Sequence, residues 1–234
     1  MADVIRAVIF DLDDTLYDRN AAQIQIVKLI SERFPQTFQG LEEERILEAF
    51  LESDRLSTID FEAGKPSEGL RDKRTKSFLR LLGLQEDNAN AITEIYVRDY
   101  PKINIPMPGA VKAVKELSKR IPLAVISNGL PDVQYCKIES MGLRGMFSSI
   151  VLSEEIGIRK PDAEVFRYAA KCLQVQPAEC LYVGDSYRND IVGAKTAGMK
   201  VCWYNYKSLA PENTEIKADF IITSFKELTR ILED

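Results

Sequence analysis

Four aspartates follow one apolar run near the N-terminus, in the stretch MADVIRAVIFDLDDTLYD. Residues 4–10 form the run, and Asp11, Asp13, Asp14 and Asp18 come after it. Carboxylates gathered at the end of a buried strand repel one another and lose hydration, and both effects oppose their ionised form. A cation beside them reduces this cost. The stretch therefore predicts a charged site that includes a positive partner.

Polar residues also follow the later apolar runs of the chain or, in the case of Lys160, precede a helix that opens with proline. They are Ser127, Asn128, Gly129, Lys160, Gly184, Asp185, Ser186 and Asp190. In an open parallel sheet, ligands bind outside the carboxyl ends of the strands, where the strand order reverses. One short motif of this kind is typical of a turn or a helix cap. Its repetition after successive strands predicts an active site along that edge.

The acidic residues of this edge indicate a metal site and a nucleophile. The predicted metal ligands are Asp11, Asp13, Asp185 and Asp190. Their hard oxygens, without histidine or a cysteine motif, favour Mg²⁺ over zinc. The ion would keep Asp11 ionised and neutralise a bound phosphate, so that Asp11 could attack phosphorus and form an aspartyl-phosphate. Asp13 points to the same side in an extended segment, which suits it to protonate the leaving oxygen and then activate water.

The other polar residues have supporting roles in this interpretation. Ser127, Lys160 and free backbone N–H groups would hold the phosphoryl oxygens as their charge redistributes. We expect Thr15 to hydrogen-bond within its loop and Asp14 to cap that loop. Asp18 is expected to be solvated or to cap a helix.

The composition narrows the possible chemistry because the chain has no histidine. Ser-His-Asp and Cys-His catalysis, histidine general bases and most zinc sites are therefore excluded. A net charge of -5 gives no electrostatic reason to expect a nucleic-acid polymer or an anionic membrane as partner. No apolar run approaches the roughly 20 residues that span a bilayer. The N-terminus does not resemble a signal peptide, because Arg6 interrupts its short apolar run.

The cysteines indicate the redox environment. Cys136, Cys172, Cys180 and Cys202 show no CxxC spacing and lie in or beside apolar segments. This pattern predicts buried free thiols in a reducing cytoplasm.

A basic run and a tryptophan are expected to have structural roles. The basic run predicts a solvated helix face; its residues are Arg71, Lys73, Arg74 and Lys76. Trp203 is expected to pack in the core or at its rim.

Short β-branched or aromatic runs alternate with helical segments along most of the chain. The predicted strands are residues 4–10, 123–127, 150–153, 180–184, 201–204 and 220–223, and the helices are 109–120, 131–142, 162–173 and 188–198. The runs are nearly continuous in apolar character, as in strands buried on both faces of a parallel sheet. The alternation predicts a doubly wound α/β sheet.

The first strand is followed by a long stretch of a different kind. Residues 18–103 hold four amphipathic helical patterns, punctuated by proline and glycine, and no convincing strand. We therefore predict a small helical bundle at 18–103, inserted into a core domain formed by residues 1–17 and 104–234. With 234 residues, the chain is long enough for a core domain with such an attachment.

Four short motifs resemble those of the haloacid dehalogenase-like (HAD) hydrolase superfamily, in that family's order. They are DLDDT at 11–15, SN at 127–128, Lys160 and GDSYRND at 184–190. The resemblance covers the whole chain and implies a Rossmann-like core with a mobile helical cap inserted after the first motif.

The resemblance also implies roles for single residues. It gives Asp11 as nucleophile, Asp13 as general acid/base, Lys160 beside Asp11, and Ser127, Asn128 and Lys160 as phosphate-binding residues. It implies that Mg²⁺ is held by Asp11, by the backbone carbonyl of Asp13 and by Asp185, with Asp190 acting through water or from behind the ligands.

Within the superfamily, the residues favour a phosphatase that acts on a small phosphorylated metabolite. Dehalogenase members lack the second aspartate of the first motif, whereas Asp13 is present here. A phosphomutase of the β-phosphoglucomutase type shares both aspartates and stays open as the alternative; a non-catalytic phosphate-binding module ranks lower. The stretches 127–143 and 198–205 are similar to the pyrimidine 5′-nucleotidase and N-acylneuraminate-9-phosphatase branches, which favours a nucleotide or sugar phosphate. The oligomeric state is left open.

Overall fold

A computed structural model describes residues 4–63, 66–211 and 215–232 of the chain. The chain divides into two compact units. One comprises Met1–Arg19 and Asn104–Asp234, and the other comprises Asn20–Ile103. The first unit contains the sheet, and the second consists of helices.

The sheet has six described strands, and every pairing between neighbours is parallel. The strands are β1 (Ala7–Phe10), β2 (Leu123–Ser127), β3 (Ser149–Leu152), β4 (Cys180–Gly184), β5 (Lys200–Tyr204) and β6 (Phe220–Ile222). Their order is β3-β2-β1-β4-β5-β6, so the direction of winding reverses between β1 and β4. This arrangement confirms the predicted doubly wound α/β sheet.

Helices link the strands of this unit and cover the sheet. They are α5 (Ala110–Leu117), α6 (Pro131–Ser140), α7 (Ser153–Ile156), α8 (Ala163–Cys172), α9 (Gly193–Thr196) and α10 (Phe225–Ile231). Every residue of β1, β2 and β4 is buried, which explains their nearly continuous apolar sequences. On one face, Phe166 of α8 packs edge-on against Tyr182 of β4, with ring centroids 4.9 Å apart. The core thus fixes the central strands from which the site residues extend.

The described residues of the helical unit form four long helices. They are α1, which begins in the preceding unit (Arg19–Arg33), α2 (Glu43–Glu62), α3 (Leu70–Leu81) and α4 (Ala89–Asp99). Its centre is aromatic: Phe50 of α2 lies edge-on to Phe78 of α3 at 5.6 Å and within 6.0 Å of Tyr96 of α4. These contacts explain the amphipathic patterns seen in the sequence.

One residue of the basic run departs from the predicted solvated face. Arg74 is buried, and its guanidinium lies 3.5 Å from the centroid of the Tyr96 ring and 3.4 Å from Asp54. Burial lowers the pKa of Arg74, but Tyr96 and Asp54 outweigh it, and the net shift is upward. A cation–π contact and an ion pair therefore make this arginine part of the interior of the helical unit.

Other packing predictions have mixed outcomes. The prediction of buried thiols is right for Cys180 and Cys202 but wrong for Cys136 and Cys172, which lie on exposed faces of α6 and α8. An amphipathic helix has an apolar side and a solvated side, and proximity to apolar residues does not choose between them. Trp203 is buried, as predicted. In the described part of the chain, no helix combines the length and apolarity needed to cross a membrane.

Candidate active site

The two strands at the reversal point deliver the central acidic residues. Asp11 directly follows β1 and Asp185 directly follows β4, and the two strands pair in register with Phe10 opposite Val183. The backbone N–H of Asp11 donates to the carbonyl of Val183 at 2.9 Å. The hydrogen-bond ladder between β1 and β4 therefore extends to Asp11 and fixes the position of its backbone.

Lys160 supplies the positive charge that the sequence required. Its ammonium donates to Asp11 Oδ1 at 2.5 Å, to Asp190 Oδ1 at 2.7 Å and to the hydroxyl of Tyr182 at 3.2 Å. The three charged side chains are all buried. Burial lowers the pKa of Lys160, but the facing carboxylates Asp11 and Asp190 raise it above its ordinary value, so the lysine is charged.

Asp190 is held from several sides. The hydroxyl of Tyr182 donates to its Oδ1 at 2.9 Å, and the backbone N–H of Ser186 donates to its Oδ2 at 3.0 Å. It lies in a π-helical turn (Tyr187–Val192) that brings it back towards β4. A Cβ on residue 184 would lie 2.5 Å from Asp190 Oδ2, so Gly184 is what permits this close approach. The GD pair after β4 thus makes room for the second aspartate.

Three carboxylates converge beside Lys160. Asp11, Asp185 and Asp190 each place an oxygen within 4.8 Å of the others. Burial, followed by the charge of Asp190, raises the pKa of Asp11 to about 7 despite Lys160. Burial and the charges of Asp11 and Asp190 raise the pKa of Asp185 to about 8. One ammonium therefore does not compensate this group of acids.

The donor set and this excess negative charge fit a divalent cation. Carboxylate oxygens, without nitrogen or sulfur donors in the cluster, are the ligands that Mg²⁺ accepts. A divalent ion would also lower the raised pKa values of Asp11 and Asp185 towards ordinary carboxyl values. The residues present are thus compatible with the predicted Mg²⁺, and Asp11, Asp185 and Asp190 are the side chains that could hold it.

Asp13 is directed to a different set of partners. Its Oδ1 accepts a hydrogen bond from Lys137 at 2.5 Å, and its Oδ2 accepts one from Gln134 at 2.8 Å. Although burial raises the pKa of Asp13, Lys137 and Arg19 outweigh it and leave the pKa below its ordinary value. The Asp13 side chain is therefore ionised and lies outside the carboxylate cluster formed by Asp11.

The SN motif after β2 contributes differently with its two residues. Ser127 is buried, and its Oγ accepts hydrogen bonds from Gln134 at 2.6 Å and from the N–H of Gly129 at 3.2 Å. The side-chain amide of Asn128 donates to the carbonyl of Lys160 at 3.0 Å and accepts from its N–H at 2.9 Å. The Asn128 side chain thus holds the backbone of Lys160.

The first loop also differs in detail from the sequence interpretation. Asp14 accepts a hydrogen bond from the N–H of Arg19 at 3.1 Å, where α1 begins, which agrees with the predicted capping role. Thr15 was expected to bond within its loop, but its hydroxyl donates to Asp185 Oδ1 at 3.3 Å. Trp203 donates from its indole to the carbonyl of Asp185 at 2.8 Å. The position of Asp185 therefore depends on residues distant in sequence.

Three residues of the site escaped the sequence interpretation: Gln134, Lys137 and Tyr182. Gln134 and Lys137 lie three residues apart on α6, so they share a face, and both are buried. Two long polar side chains on a buried helix face, shortly after the SN motif, are the signal that could have indicated them. Tyr182 was hidden in the apolar run of β4, because its ring packs in the core while its hydroxyl reaches Lys160.

Comparison with known proteins places this geometry in a family. A family model described as haloacid dehalogenase-like hydrolase matches residues 5–198, which is well over half of the chain. The chain belongs to the HAD-like hydrolases. The match confirms the family resemblance that the four sequence motifs indicate.

Individual relatives of this HAD-like hydrolase are phosphatases. The glyceraldehyde 3-phosphate phosphatase of Pyrococcus furiosus is 30% identical over 98% of this chain and 93% of its own length. The pyrimidine 5′-nucleotidase YjjG of Escherichia coli is 30% identical over 74% of this chain and 76% of its own. The N-acylneuraminate-9-phosphatase of Mus musculus is 29% identical over 98% and 94%. The predicted enzyme class, an HAD-like phosphatase, and the similarity to the last two branches are confirmed.

A solved structure agrees with the fold as well. The HAD-hydrolase YfnB of Bacillus subtilis, determined bound to magnesium, superposes with a TM-score of 0.83 at 26% sequence identity. The match covers 99% of this chain and 100% of that one. The similarity therefore extends over both units of the HAD-like hydrolase described here.

Proposed function

We propose that this chain is an Mg²⁺-dependent phosphatase that hydrolyses a small phosphate monoester through an aspartyl-phosphate on Asp11. The observation that carries the proposal is the position of Asp11 at the end of β1, 2.5 Å from Lys160 and within the cluster shared with Asp185 and Asp190. This combination gives a nucleophile, a fixed positive charge and a set of metal ligands in one place.

The metal would compensate the negative charges of the carboxylates and of the phosphoryl group. Asp11, Asp185 and the backbone carbonyl of Asp13 would hold Mg²⁺, with Asp190 as a further carboxylate ligand or behind the ligands. Bound there, Mg²⁺ neutralises charge on the phosphoryl oxygens and keeps Asp11 ionised. The related YfnB was determined bound to magnesium, which supports the choice of Mg²⁺ as the metal.

The first chemical step transfers the phosphoryl group to the enzyme. A carboxylate oxygen of Asp11 forms a bond to phosphorus while the ester P–O bond breaks, and Asp13 gives its proton to the leaving oxygen. Ser127 and Lys160 donate to the phosphoryl oxygens. Lys137 lowers the pKa of Asp13 in the free site. A bound anionic phosphate acts in the opposite direction, favouring the protonated Asp13 that this step needs.

The second step returns the enzyme to its starting state. Asp13, now a carboxylate, accepts a proton from a water molecule whose oxygen bonds to phosphorus. The bond between phosphorus and Asp11 then breaks, and inorganic phosphate leaves. Each residue regains its initial protonation state, so the cycle balances.

The substrate class follows from the relatives. Proteins similar to this chain over most of its length act, by name, on glyceraldehyde 3-phosphate, pyrimidine 5′-nucleotides and N-acylneuraminate 9-phosphate. We therefore propose a nucleotide or sugar phosphate as substrate, with the helical unit Asn20–Ile103 as the cap domain that confers specificity.

A phosphate-release screen tests the proposed function. Nucleotides, sugar phosphates, acyl phosphates and aryl phosphates are offered to the purified chain with Mg²⁺ and, in parallel, with EDTA. The proposal expects Mg²⁺-dependent release from at least one ester and its loss in Asp11→Asn. Isomerisation of a hexose phosphate without net phosphate release, or substantial activity in Asp11→Asn, would contradict it.

A further inference from the structure

The Asp13 carboxylate is bound at both oxygens by one helix. Lys137 donates to Oδ1 at 2.5 Å and Gln134 donates to Oδ2 at 2.8 Å, and both residues belong to α6. Two contacts on different oxygens fix the rotation of the carboxylate as well as its position. Asp13 thus differs from a surface aspartate, whose side chain is free to choose among rotamers.

Stability alone is a poor explanation for this arrangement. Lys137 is 2% exposed, and its ammonium also lies 4.7 Å from the centroid of the Tyr17 ring. Removing an ammonium from water is costly, and a buried ion pair is often no more stabilising than apolar side chains of similar volume. A lysine placed here therefore indicates a role in the chemistry of Asp13.

Gln134 connects Asp13 to the phosphate-binding position. The same Nε2 donates to Asp13 and, at 2.6 Å, to Ser127 Oγ. The site is shaped for this side chain, because a Cβ on residue 129 would lie 2.2 Å from Gln134 Nε2. Gly129 therefore leaves room for Gln134 to lie between the Asp13 and Ser127 loops and to fix the position of Asp13 relative to Ser127.

We propose that Lys137 and Gln134 are positioning residues for the acid–base work of Asp13. They set the orientation from which Asp13 exchanges protons with the leaving oxygen and with water, while Ser127 fixes the phosphoryl group next to it. This inference rests on the proposed phosphatase function, and it assigns a purpose to the buried polar face of α6. Misplacing a general acid or base by about 1 Å can cost roughly 100-fold in rate.

A kinetic double-mutant cycle tests whether Lys137 acts through Asp13. Phosphate release is measured for wild type, Lys137→Met, Asp13→Asn and the double variant. Lys137→Met should lower kcat by about 10- to 100-fold with KM changed less than about 3-fold. In the Asp13→Asn background, the same substitution should cost less than about 3-fold, because the residue it positions is already disabled.

Lys195→Met is the matched control, since Lys195 also donates to an aspartate, Asp219, at 2.5 Å but outside the site. It should leave kcat and KM unchanged. If Lys137→Met fails to fold in thermal melts, Gln134→Met enters the same cycle and should show the same non-additive loss of kcat.

The kinetic results distinguish a failure of the positioning role from a failure of the proposed phosphatase function. An active wild type whose Lys137→Met or Gln134→Met loss is equally large with and without Asp13 would overturn the positioning role alone. A wild type that releases no phosphate from any ester would overturn the proposed function, and the inference with it.

Discussion

The ammonium of Lys160 lies 2.5 Å from the carboxylate of Asp11, and both groups are almost fully removed from solvent. The same ammonium lies 2.7 Å from Asp190, so one positive charge faces two negative charges. The pair explains how β1 can end in an aspartate within a buried environment. The pKa of Asp11 is nevertheless raised to about 7, because burial and the charge of Asp190 together exceed the lowering effect of Lys160.

Replacing Lys160 tests the importance of that charge. Lys160→Met should lower phosphate release by about 100-fold or more, because a fixed donor to the phosphoryl oxygens is lost. It should also lower the free energy of unfolding by about 3–5 kcal/mol, since two buried carboxylates lose their partner. Urea denaturation and steady-state kinetics measure the two effects. A Lys160→Met enzyme as active as Lys195→Met would contradict this account.

The hydroxyl of Tyr182 should support the same pair. It lies 3.2 Å from Lys160 Nζ and donates to Asp190 at 2.9 Å, while its ring remains packed against Phe166. Tyr182→Phe keeps the ring and removes a hydrogen bond to a charged group, which should cost about 1–3 kcal/mol of unfolding free energy. Tyr168→Phe, at an exposed site on α8, is the control and should change stability by less than about 0.5 kcal/mol.

The carboxylate cluster predicts a pH dependence in the metal-free protein. The pKa values of Asp11 and Asp185 rise from 3.8 to about 7 and about 8 on folding. The folded state therefore binds protons that the unfolded state releases between about pH 4 and pH 8, and stability must fall as the pH rises through that window. The lowered pKa of Asp13 acts below this window and leaves the trend unchanged.

Thermal melts at pH 5 and pH 8, with EDTA or with Mg²⁺, measure this effect. With EDTA, Tm should be higher at pH 5 than at pH 8. Added Mg²⁺ should raise Tm more at pH 8, where the ligands are already deprotonated. Asp185→Asn should weaken both trends. A metal-free Tm that increases from pH 5 to pH 8, followed by no Mg²⁺ response, would contradict the cluster's assignment as a metal site.

The buried arginine of the helical unit gives a prediction about stability. Arg74→Met leaves Asp54 partly buried without the guanidinium and removes the contact with the Tyr96 ring. We expect a loss of about 3–5 kcal/mol of unfolding free energy. Lys73→Met, on the exposed side of the same helix, should stay within about 0.5 kcal/mol. Equal melting curves for the two variants would show that Arg74 has no interior role.

Much of this architecture could be predicted because burial leaves a strong trace in sequence. Buried parallel strands need continuous apolar runs, so the predicted bounds of β2 and β4 match the observed ones, and β1 ends at Phe10 as predicted but begins at Ala7 rather than at residue 4. The strand ends then indicated Asp11 and Asp185, because the sheet topology brings them together. Local pattern and global fold carry the same information at these positions.

The parts that escaped prediction depend on contacts between distant segments. Lys137 and Gln134 are ordinary helix residues until α6 is placed beside the loop that carries Asp13. The sequence pattern predicts a solvated Arg74, whereas in the fold Tyr96 and Asp54 contact its guanidinium. Helical periodicity indicates that one face is buried, but the partner across the gap determines whether a charge can be buried there.

A covalent trap tests the central claim most directly. The chain is mixed with Mg²⁺ and a phosphate ester carrying radiolabelled phosphorus, quenched in acid during turnover, digested and mapped by peptide. The account predicts a hydroxylamine-labile phosphate on Asp11 in wild type and no label in Asp11→Asn. Phosphate release by wild type with no label on Asp11, or with the label on another residue, would contradict it.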